Sequence, residues 1–199
     1  MAGGTSDQLA IRALVENWVI WRDARMWDRF RTLWHKDGQM WATWFQGTYQ
    51  EFIKVSQNGH DAGARISHML GGMSCDIKSK RAIAQTKMTI TQRAKVEGVL
   101  CDVSCSGRFY DFLEKRKGKW GLVLRRLTYE RDRLDPLDPA AKLALDQKLL
   151  AEYPEGYRHL AYLQVKNGFK VKRDLPGLEG PELDALYAKG DAWLKGKKL

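Results

Sequence analysis

The stretch of sequence that decides the fold is residues 99–133, which read VLCDVSCSGRFYDFLEKRKGKWGLVLRRLTYERDR. Two runs in it, 99–114 and 119–133, are strand candidates, and both are long. They are joined by the turn 115–118, where Gly118 can adopt the positive φ that a tight hairpin requires. The pattern predicts a long antiparallel hairpin.

The segments before this hairpin predict helices first and strands afterwards. Apolar residues recur at helical spacing near the N-terminus, and alternation then takes over. The predicted helices are 5–25, 26–34 and 49–55, and the predicted strands are 39–45, 64–70 and 81–95, with a turn at 36–38 and a polar loop at 56–63. Helices followed by a run of antiparallel strands are typical of the α+β class.

The segment 135–139, which reads DPLDP, ends the strand pattern. Three further helices are predicted beyond it, at 138–152, 157–165 and 181–193. The tail keeps many apolar and aromatic residues, which favours packing over a free chain end. We therefore divide the chain into a first domain at 1–135 and a helical C-terminal extension at 136–199. The extension is expected to pack on that domain or on a neighbouring subunit.

The net charge is strongly positive, with 34 Lys and Arg against 24 Asp and Glu, or +10. Such a balance raises the question of an anionic partner. Basic residues concentrate at the hairpin tip 115–119, but no nucleic-acid-binding motif or aromatic platform accompanies them. A solvated turn is the better interpretation, and we expect no nucleic-acid partner.

The cysteines and the apolar runs bear on the compartment. Three cysteines, an odd number, argue against a disulfide framework and for reducing surroundings. The N-terminus has no charged region followed by an apolar run, and the longest apolar runs are far shorter than a membrane span. The sequence predicts a cytoplasmic protein without membrane contact.

Familiar metal and cofactor motifs are missing from the sequence. None of the four histidines has zinc-ligand spacing with a cysteine or another histidine. There is no Walker A loop and no GxGxxG fingerprint. We expect neither a metal nor a cofactor.

His68 is the most informative histidine. On its predicted strand it shares a face with Ile66 and Leu70, both apolar. If that face points inward, the imidazole lies in apolar surroundings, where general acid–base chemistry becomes available. The alternative is a core histidine hydrogen-bonded to backbone.

Two charged residues also stand among apolar neighbours. Asp23 ends the first predicted helix, with Val19 and Trp27 four positions away on either side. It either meets a buried partner such as an imidazole or pairs with a surface arginine. Arg125 and Arg126 interrupt the last strand, so alternation sends one of them inward as a fixed cation. The alternative for both arginines is an edge salt bridge.

The order of elements and several short motifs together resemble the SnoaL-like branch of the nuclear-transport-factor-two-like superfamily. The resemblance covers residues 8–133, and its clearest stretches are 11–34, GTY at 47–49, SHMLGG at 67–72, GRFYD at 107–111 and GKW at 118–120. It implies a cone-shaped, curved antiparallel sheet, an α+β barrel, packed with the N-terminal helices. It also implies a homodimer or homotrimer.

Within that superfamily the chain is similar to scytalone dehydratase and hexachlorocyclohexane dehydrochlorinase, which use an Asp–His dyad. Asp23 and His68 match the two dyad positions, and Arg125 matches the arginine five residues after the hairpin tryptophan. The resemblance therefore implies a cofactor-independent lyase of dehydratase type, or an isomerase, in which His68 and Asp23 are catalytic. The alternative is a non-catalytic module of the same fold that binds a hydrophobic ligand.

The residues expected to hold the substrate differ from those of the dehydratase. Arg22 stands where the dehydratase has a tyrosine, so scytalone itself is not the expected substrate. Six of the eight tryptophans lie between residues 18 and 44, which favours a small, largely apolar substrate with an aromatic or polycyclic body. The predicted substrate-binding residues are Arg125, Tyr49, Trp18, Trp44, Trp41 and Arg108.

Overall fold

The computed structural model describes residues 4–199. Its strands are β1 (Trp34–Trp41), β2 (Gln46–Thr48), β3 (Arg65–Lys78), β4 (Arg81–Val96), β5 (Val99–Arg116) and β6 (Lys119–Pro136). Its helices are α1 (Thr5–Asp23), α2 (Trp27–Arg31), α3 (Tyr49–Asp61), α4 (Gln147–Ala151), α5 (Arg158–Lys166) and α6 (Pro181–Leu194). The strands form one curved sheet in the order β2-β1-β6-β5-β4-β3, in which only β1 and β6 run parallel. The predicted α+β class and cone-like sheet are confirmed.

The predicted hairpin is the longest part of this sheet. β5 and β6 pair along their whole lengths, with register shifts after Ser106 and after Phe112. Such bulges bend a strand and increase its twist. Gly107 lies at the first shift, where an added Cβ would come within 1.9 Å of the Thr128 carbonyl oxygen, so only glycine fits. The hairpin turn uses the positive φ of Gly118, as predicted, and also that of Lys117.

The sheet has two faces that are covered by different helices. On the inner face, α1 contributes Ile11, Val15 and Trp18 to a core that includes Phe109 and Leu113 of β5. On the outer face, α6 covers a second cluster of buried residues: Ile83, Tyr110, Phe112, Val123, Leu124, Leu186 and Trp193. Since side chains alternate along a strand, neighbouring residues of the hairpin belong to different faces.

Two predicted boundaries near the N-terminus are wrong. Residues 36–38 lie inside β1 instead of forming a turn, and Trp34 starts that strand instead of ending a helix. Parallel pairing with β6 overrides the turn propensity there, with a register shift between Trp34 and Gln39 that absorbs Gly38. Of the separate strand predicted at 39–45, residues 39–41 belong to β1 and residues 42–45 form the loop that leads to β2.

The polar loop predicted at 56–63 is also wrong, because most of this segment is helical. α3 continues through it to Asp61, because the polar run has one buried side, formed by Ser56 and His60. Thr48 starts this helix with a capping box, in which its side chain and that of Glu51 bond each other's backbone N–H groups. β3 likewise runs on past residue 70 to Lys78.

The helix predicted at 138–152 shrinks to α4. Asp138 bonds the backbone N–H of Ala140 in a local turn, which competes with a helix start beside Pro139. Asp146 instead caps α4 by accepting from the N–H groups of Lys148 and Leu149. The predicted helices at 157–165 and 181–193 are present as α5 and α6.

The C-terminal extension is bonded to the sheet at several points. The Asp132 side chain of β6 is fully buried and accepts from the backbone N–H groups of His159 and Leu160 at 2.6 and 2.8 Å. Its other oxygen lies 2.9 Å from His159 Nδ1. Asp132 thus caps the N-terminus of α5 from a neighbouring strand, where the helix dipole favours a negative charge. The Thr43 hydroxyl donates to Gln164 of α5 at 2.7 Å.

We predict that Asp132→Ala loosens the extension. Removing a buried carboxylate that accepts three N–H groups leaves those donors unpaired, so the free energy of unfolding should fall by about 2–4 kcal/mol. Urea denaturation measures this loss, and limited proteolysis should cut first within 137–199. Asp61→Ala, at an exposed position, is the control and should change stability little. Equal stability of the two variants would contradict the capping role.

Candidate active site

An aspartate–histidine pair links the end of α1 to β3. His68 Nδ1 lies 2.9 Å from Asp23 Oδ1, and the backbone N–H of His68 donates to Asp23 Oδ2 at 2.6 Å. Two bonds to one residue fix both the ring and its strand relative to the carboxylate. His68 Nε2 makes no hydrogen bond to any residue between 4 and 199. The carboxylate therefore selects the tautomer with hydrogen on Nδ1, and Nε2 keeps a free lone pair.

The protonation states of the pair follow from its surroundings. Burial lowers the pKa of His68 below 6.5, and the nearby Arg22 and Arg125 charges add to this, against the opposing effect of Asp23. Burial pushes the pKa of Asp23 upward, but hydrogen bonds from His68 and the charge of Arg22 outweigh it, so that pKa is lowered. At neutral pH the pair is a carboxylate beside a neutral imidazole, which is the form that can accept a proton at Nε2.

A fixed cation lies close to this imidazole. Arg125 is completely buried and forms two parallel bonds of 2.6 Å to Asp111, which is directly opposite it on β5. Its guanidinium carbon lies 3.8 Å from the centre of the Phe109 ring and 4.3 Å from that of Trp18. Two aromatic faces and one carboxylate therefore hold the charge in place.

The walls around His68 are aromatic. Trp18 of α1 meets the His68 ring edge-on, with centroids 5.5 Å apart, and Phe109 lies 6.2 Å away. Trp18 Nε1 and Arg125 Nη1 are both buried and have no hydrogen-bond partner among the described residues. Unpaired donors are costly to bury, so a ligand oxygen or halide beside them would be favourably bound.

The structure brings four of the eight predicted site residues together: Asp23, His68, Arg125 and Trp18. Tyr49 is further out and stacks on Trp34, with ring centroids 5.6 Å apart. Trp44 packs against Phe169 of the C-terminal extension, 4.6 Å between centroids.

Trp41 and Arg108 do not join the His68 site because they belong to the outer face. Trp41 packs against the cluster covered by α6. Arg108 is bonded to Glu130 at 2.6 Å, to Gln85 at 2.9 Å and to the Tyr187 hydroxyl. The alternation that sends Phe109 and Asp111 inward sends Arg108 outward, away from the His68 site where it was predicted.

Three residues near the site were not predicted. Asp111 could not have been found from the predicted hairpin, whose turn at 115–118 puts it opposite Leu122; the shorter observed turn and the register shift after Phe112 bring it opposite Arg125. Phe109 could have been found from alternation on the same strand. His60 gave no sequence signal: it is buried with both ring nitrogens unpaired among the described residues, and it lines a groove of about 450 Å³ together with Asp23.

Residues 4–199 contain no group of three or more His, Cys, Asp or Glu side chains arranged to hold a metal ion. No helix in this range combines the length and the apolar character needed to cross a membrane.

Residues 4–126 match the family model described as a SnoaL-like domain, and the chain belongs to this family. A PEP2-like protein of Fusarium vanettenii is 39% identical over 97% of this chain and 88% of its own length. Pea pathogenicity protein 2 of the same fungus is 37% identical, again over 97% of this chain and 88% of its own length. Since these alignments extend far beyond residue 126, such relatives share most of the C-terminal extension.

Solved structures share the fold at low sequence identity. A hexachlorocyclohexane dehydrochlorinase of Novosphingobium barchaimii superposes with a TM-score of 0.57 at 15% identity, covering 70% of this chain and 96% of that one. A candidate scytalone dehydratase of Novosphingobium aromaticivorans superposes with a TM-score of 0.55 at 18% identity, covering 70% of this chain and 96% of that one. The predicted superfamily is confirmed by the family match and by these folds.

We predict that the charge of Asp23 holds the pKa of His68 above the value that burial alone would give. Asp23→Asn keeps an oxygen near Nδ1 but removes that charge, so the pKa of His68 should fall further below 6.5. A titration of the His68 ring followed by NMR measures it. Asp28→Asn, an exposed carboxylate on α2, is the control and should leave the titration unchanged. A wild-type His68 that titrates above 6.5 would contradict the assignment of a neutral base.

Proposed function

We propose that this protein is a cofactor-independent lyase or isomerase that acts on a small, largely apolar substrate. The observation that carries the proposal is the Asp23–His68 pair, with Nδ1 held by the carboxylate and Nε2 left without a partner among residues 4–199. A neutral imidazole so oriented is a general base at neutral pH. The same fold in a hexachlorocyclohexane dehydrochlorinase and a candidate scytalone dehydratase supports an elimination.

In the proposed reaction, His68 Nε2 takes a proton from a carbon that a neighbouring group has made acidic. The C–H electron pair becomes a new double bond or a conjugated anion, and Asp23 stabilises the imidazolium that forms. In an elimination the leaving group departs with its bonding electrons; a departing hydroxide takes the proton back from His68 and leaves as water. In an isomerisation the proton returns to another carbon.

Arg125 and Trp18 would stabilise the negative charge that develops on the substrate. Arg125 Nη1 and Trp18 Nε1 are buried donors without partners in residues 4–199, and the guanidinium is fixed before any substrate arrives. Preorganised donors of this kind lower a barrier because they do not have to reorient during the reaction. The rings of Trp18 and Phe109 favour an aromatic or polycyclic substrate. A homodimeric or homotrimeric assembly remains part of the proposal.

We predict that His68→Gln and Asp23→Asn lower proton abstraction by about 10²–10⁴-fold, the usual contribution of a positioned base. The assay incubates the protein in D₂O with bicyclic aryl ketones, with and without a hydroxyl group β to the carbonyl. NMR then follows deuterium entering the carbon beside the carbonyl and the appearance of the unsaturated product.

The unchanged far-ultraviolet circular dichroism of both variants is the control for folding, and His159→Gln is the matched control for losing an imidazole. Full activity in His68→Gln would refute the role of the base. Ketones that bind the wild type without exchange or conversion would favour the alternative, a module that only binds hydrophobic ligands.

We predict that the structural and catalytic roles of Arg125 can be separated. Arg125→Met alone leaves Asp111 as a buried carboxylate without its partner and should cost about 3–5 kcal/mol of stability. Arg125→Met with Asp111→Leu removes both charges and should recover most of that loss. In the same D₂O assay the double variant should remain folded yet exchange at least tenfold more slowly than wild type. Wild-type exchange would mean that Arg125 serves the fold alone.

A further inference from the structure

Two cations lie close to the Trp41 ring on the outer face of the sheet. The guanidinium carbon of Arg126 is 5.1 Å from the centre of the Trp41 ring, and Lys189 Nζ of α6 is 5.8 Å from it. Both cations and the ring are about half-buried. Arg126 neighbours Arg125 in sequence, but alternation puts it on the opposite side of the sheet from His68.

Neither cation has an acidic partner among residues 4–199. The salt bridges in this range include none to Arg126 or Lys189. Asp174 lines a small cavity with Arg126 and its charge acts on the guanidinium, but the two form no ion pair. Burial lowers the pKa of Lys189, and the charge of Arg126 lowers it further, so the two cations work against each other. Half-buried like charges that lack an ion-pair partner are unfavourable in the protein alone and are relieved by an anion.

Two other basic residues of this region are paired with carboxylates. Arg116 bonds Asp37 and Glu114, each at 2.6 Å, and Arg81 lies 3.6 Å from Glu114. Lys198 and Lys172 also line the cavities here and make no salt bridge among residues 4–199. Arg126 and Lys189 are distinguished from them by lying close to the Trp41 ring.

A cavity of about 600 Å³ opens at this point between α6 and the sheet. Val123 and Leu124 form apolar lining, and Trp41 and Trp193 add two indole rings, with Lys189 at the lining as well. The paired charges of Asp37, Glu114, Arg81 and Arg116 line the rest of the cavity. Its volume lies in the range of small-molecule sites. A smaller cavity of about 200 Å³ shares Trp41 and is lined by Arg126.

We propose that this outer-face cavity is a second binding site, for an organic acid with a flat apolar body. The body would lie against Trp41, Trp193 and the aliphatic lining, and the carboxylate would lie between Lys189 and Arg126. Arginine and lysine together suit a carboxylate, and an indole face suits a planar apolar group. The site lies across the sheet from His68 and does not depend on the activity proposed above.

The test compares 1-naphthoate with 1-naphthalenemethanol, two probes of similar shape of which only the first is charged. Isothermal titration calorimetry should show naphthoate binding at least tenfold tighter than the alcohol. Lys189→Met and Arg126→Met should each weaken naphthoate binding at least tenfold and leave alcohol binding unchanged, because methionine keeps the apolar stem. Lys142→Met, at an exposed position in the extension, is the control for net charge and should bind naphthoate as wild type does.

A second measurement separates this site from the His68 site. Indole N–H signals are assigned by NMR from single Trp→Phe variants, and naphthoate should shift those of Trp41 and Trp193. A shift of the Trp18 signal alone would place the acid at the inner face and overturn the inference. Equal affinity for the acid and the alcohol, unchanged affinity in both cation variants, or no naphthoate binding at millimolar concentration would overturn it as well.

Discussion

The buried pair between Arg125 and Asp111 is the constraint on which the rest of the molecule depends. Both side chains are completely buried, and they join the two central strands of the sheet at a register position where the residues lie directly opposite. A buried ion pair is seldom a net source of stability, because both charges lose their hydration. Its value here is positional: a cation is held under Trp18 and Phe109, next to the imidazole of His68.

That constraint also explains why the two faces of the sheet differ in chemistry. A strand that must point Arg125 inward must point Arg126 outward, and likewise Asp111 inward and Tyr110 outward. The inner face therefore has a cation paired with a carboxylate, whereas the outer face has a cation paired with none among the described residues. The dipeptide Arg125–Arg126 in β6 thus supplies a positive charge to each face of the sheet. Only the charge on the inner face is paired with a carboxylate.

The sequence predicted the parts of this structure that depend on local pattern. Alternation in residues 99–133 and a glycine at position 118 were enough for the hairpin, and the family resemblance placed Asp23 and His68 correctly together. Trp41 was predicted at the site from the cluster of tryptophans in sequence, which does not say which face of the sheet each ring joins. Arg108 stands next to Phe109 on β5, and one residue along a strand changes the face. His60 was not found, because its burial depends on α3 continuing through a polar segment, which tertiary packing decides.

The predictions of a long helix at 138–152 and of a turn at 36–38 were wrong for a related reason. Their local propensities for helix and turn are genuine, but a proline-flanked aspartate and a parallel neighbour strand outweigh them. Propensities of a few tenths of a kcal/mol per residue do not survive competition with a paired strand.

The contacts of Asp132 have a consequence for what counts as the unit of this protein. The family match ends at residue 126, yet β6 runs on to Pro136, and its buried carboxylate is satisfied by backbone from residues 159 and 160. Tyr129 and Cys105 also share one core with Tyr157 and Leu160 of the extension. The segment that matches the family model is thus smaller than the packed unit, whose core includes residues of the extension. A fragment cut at the family boundary would uncover apolar surface and behave as a truncated core.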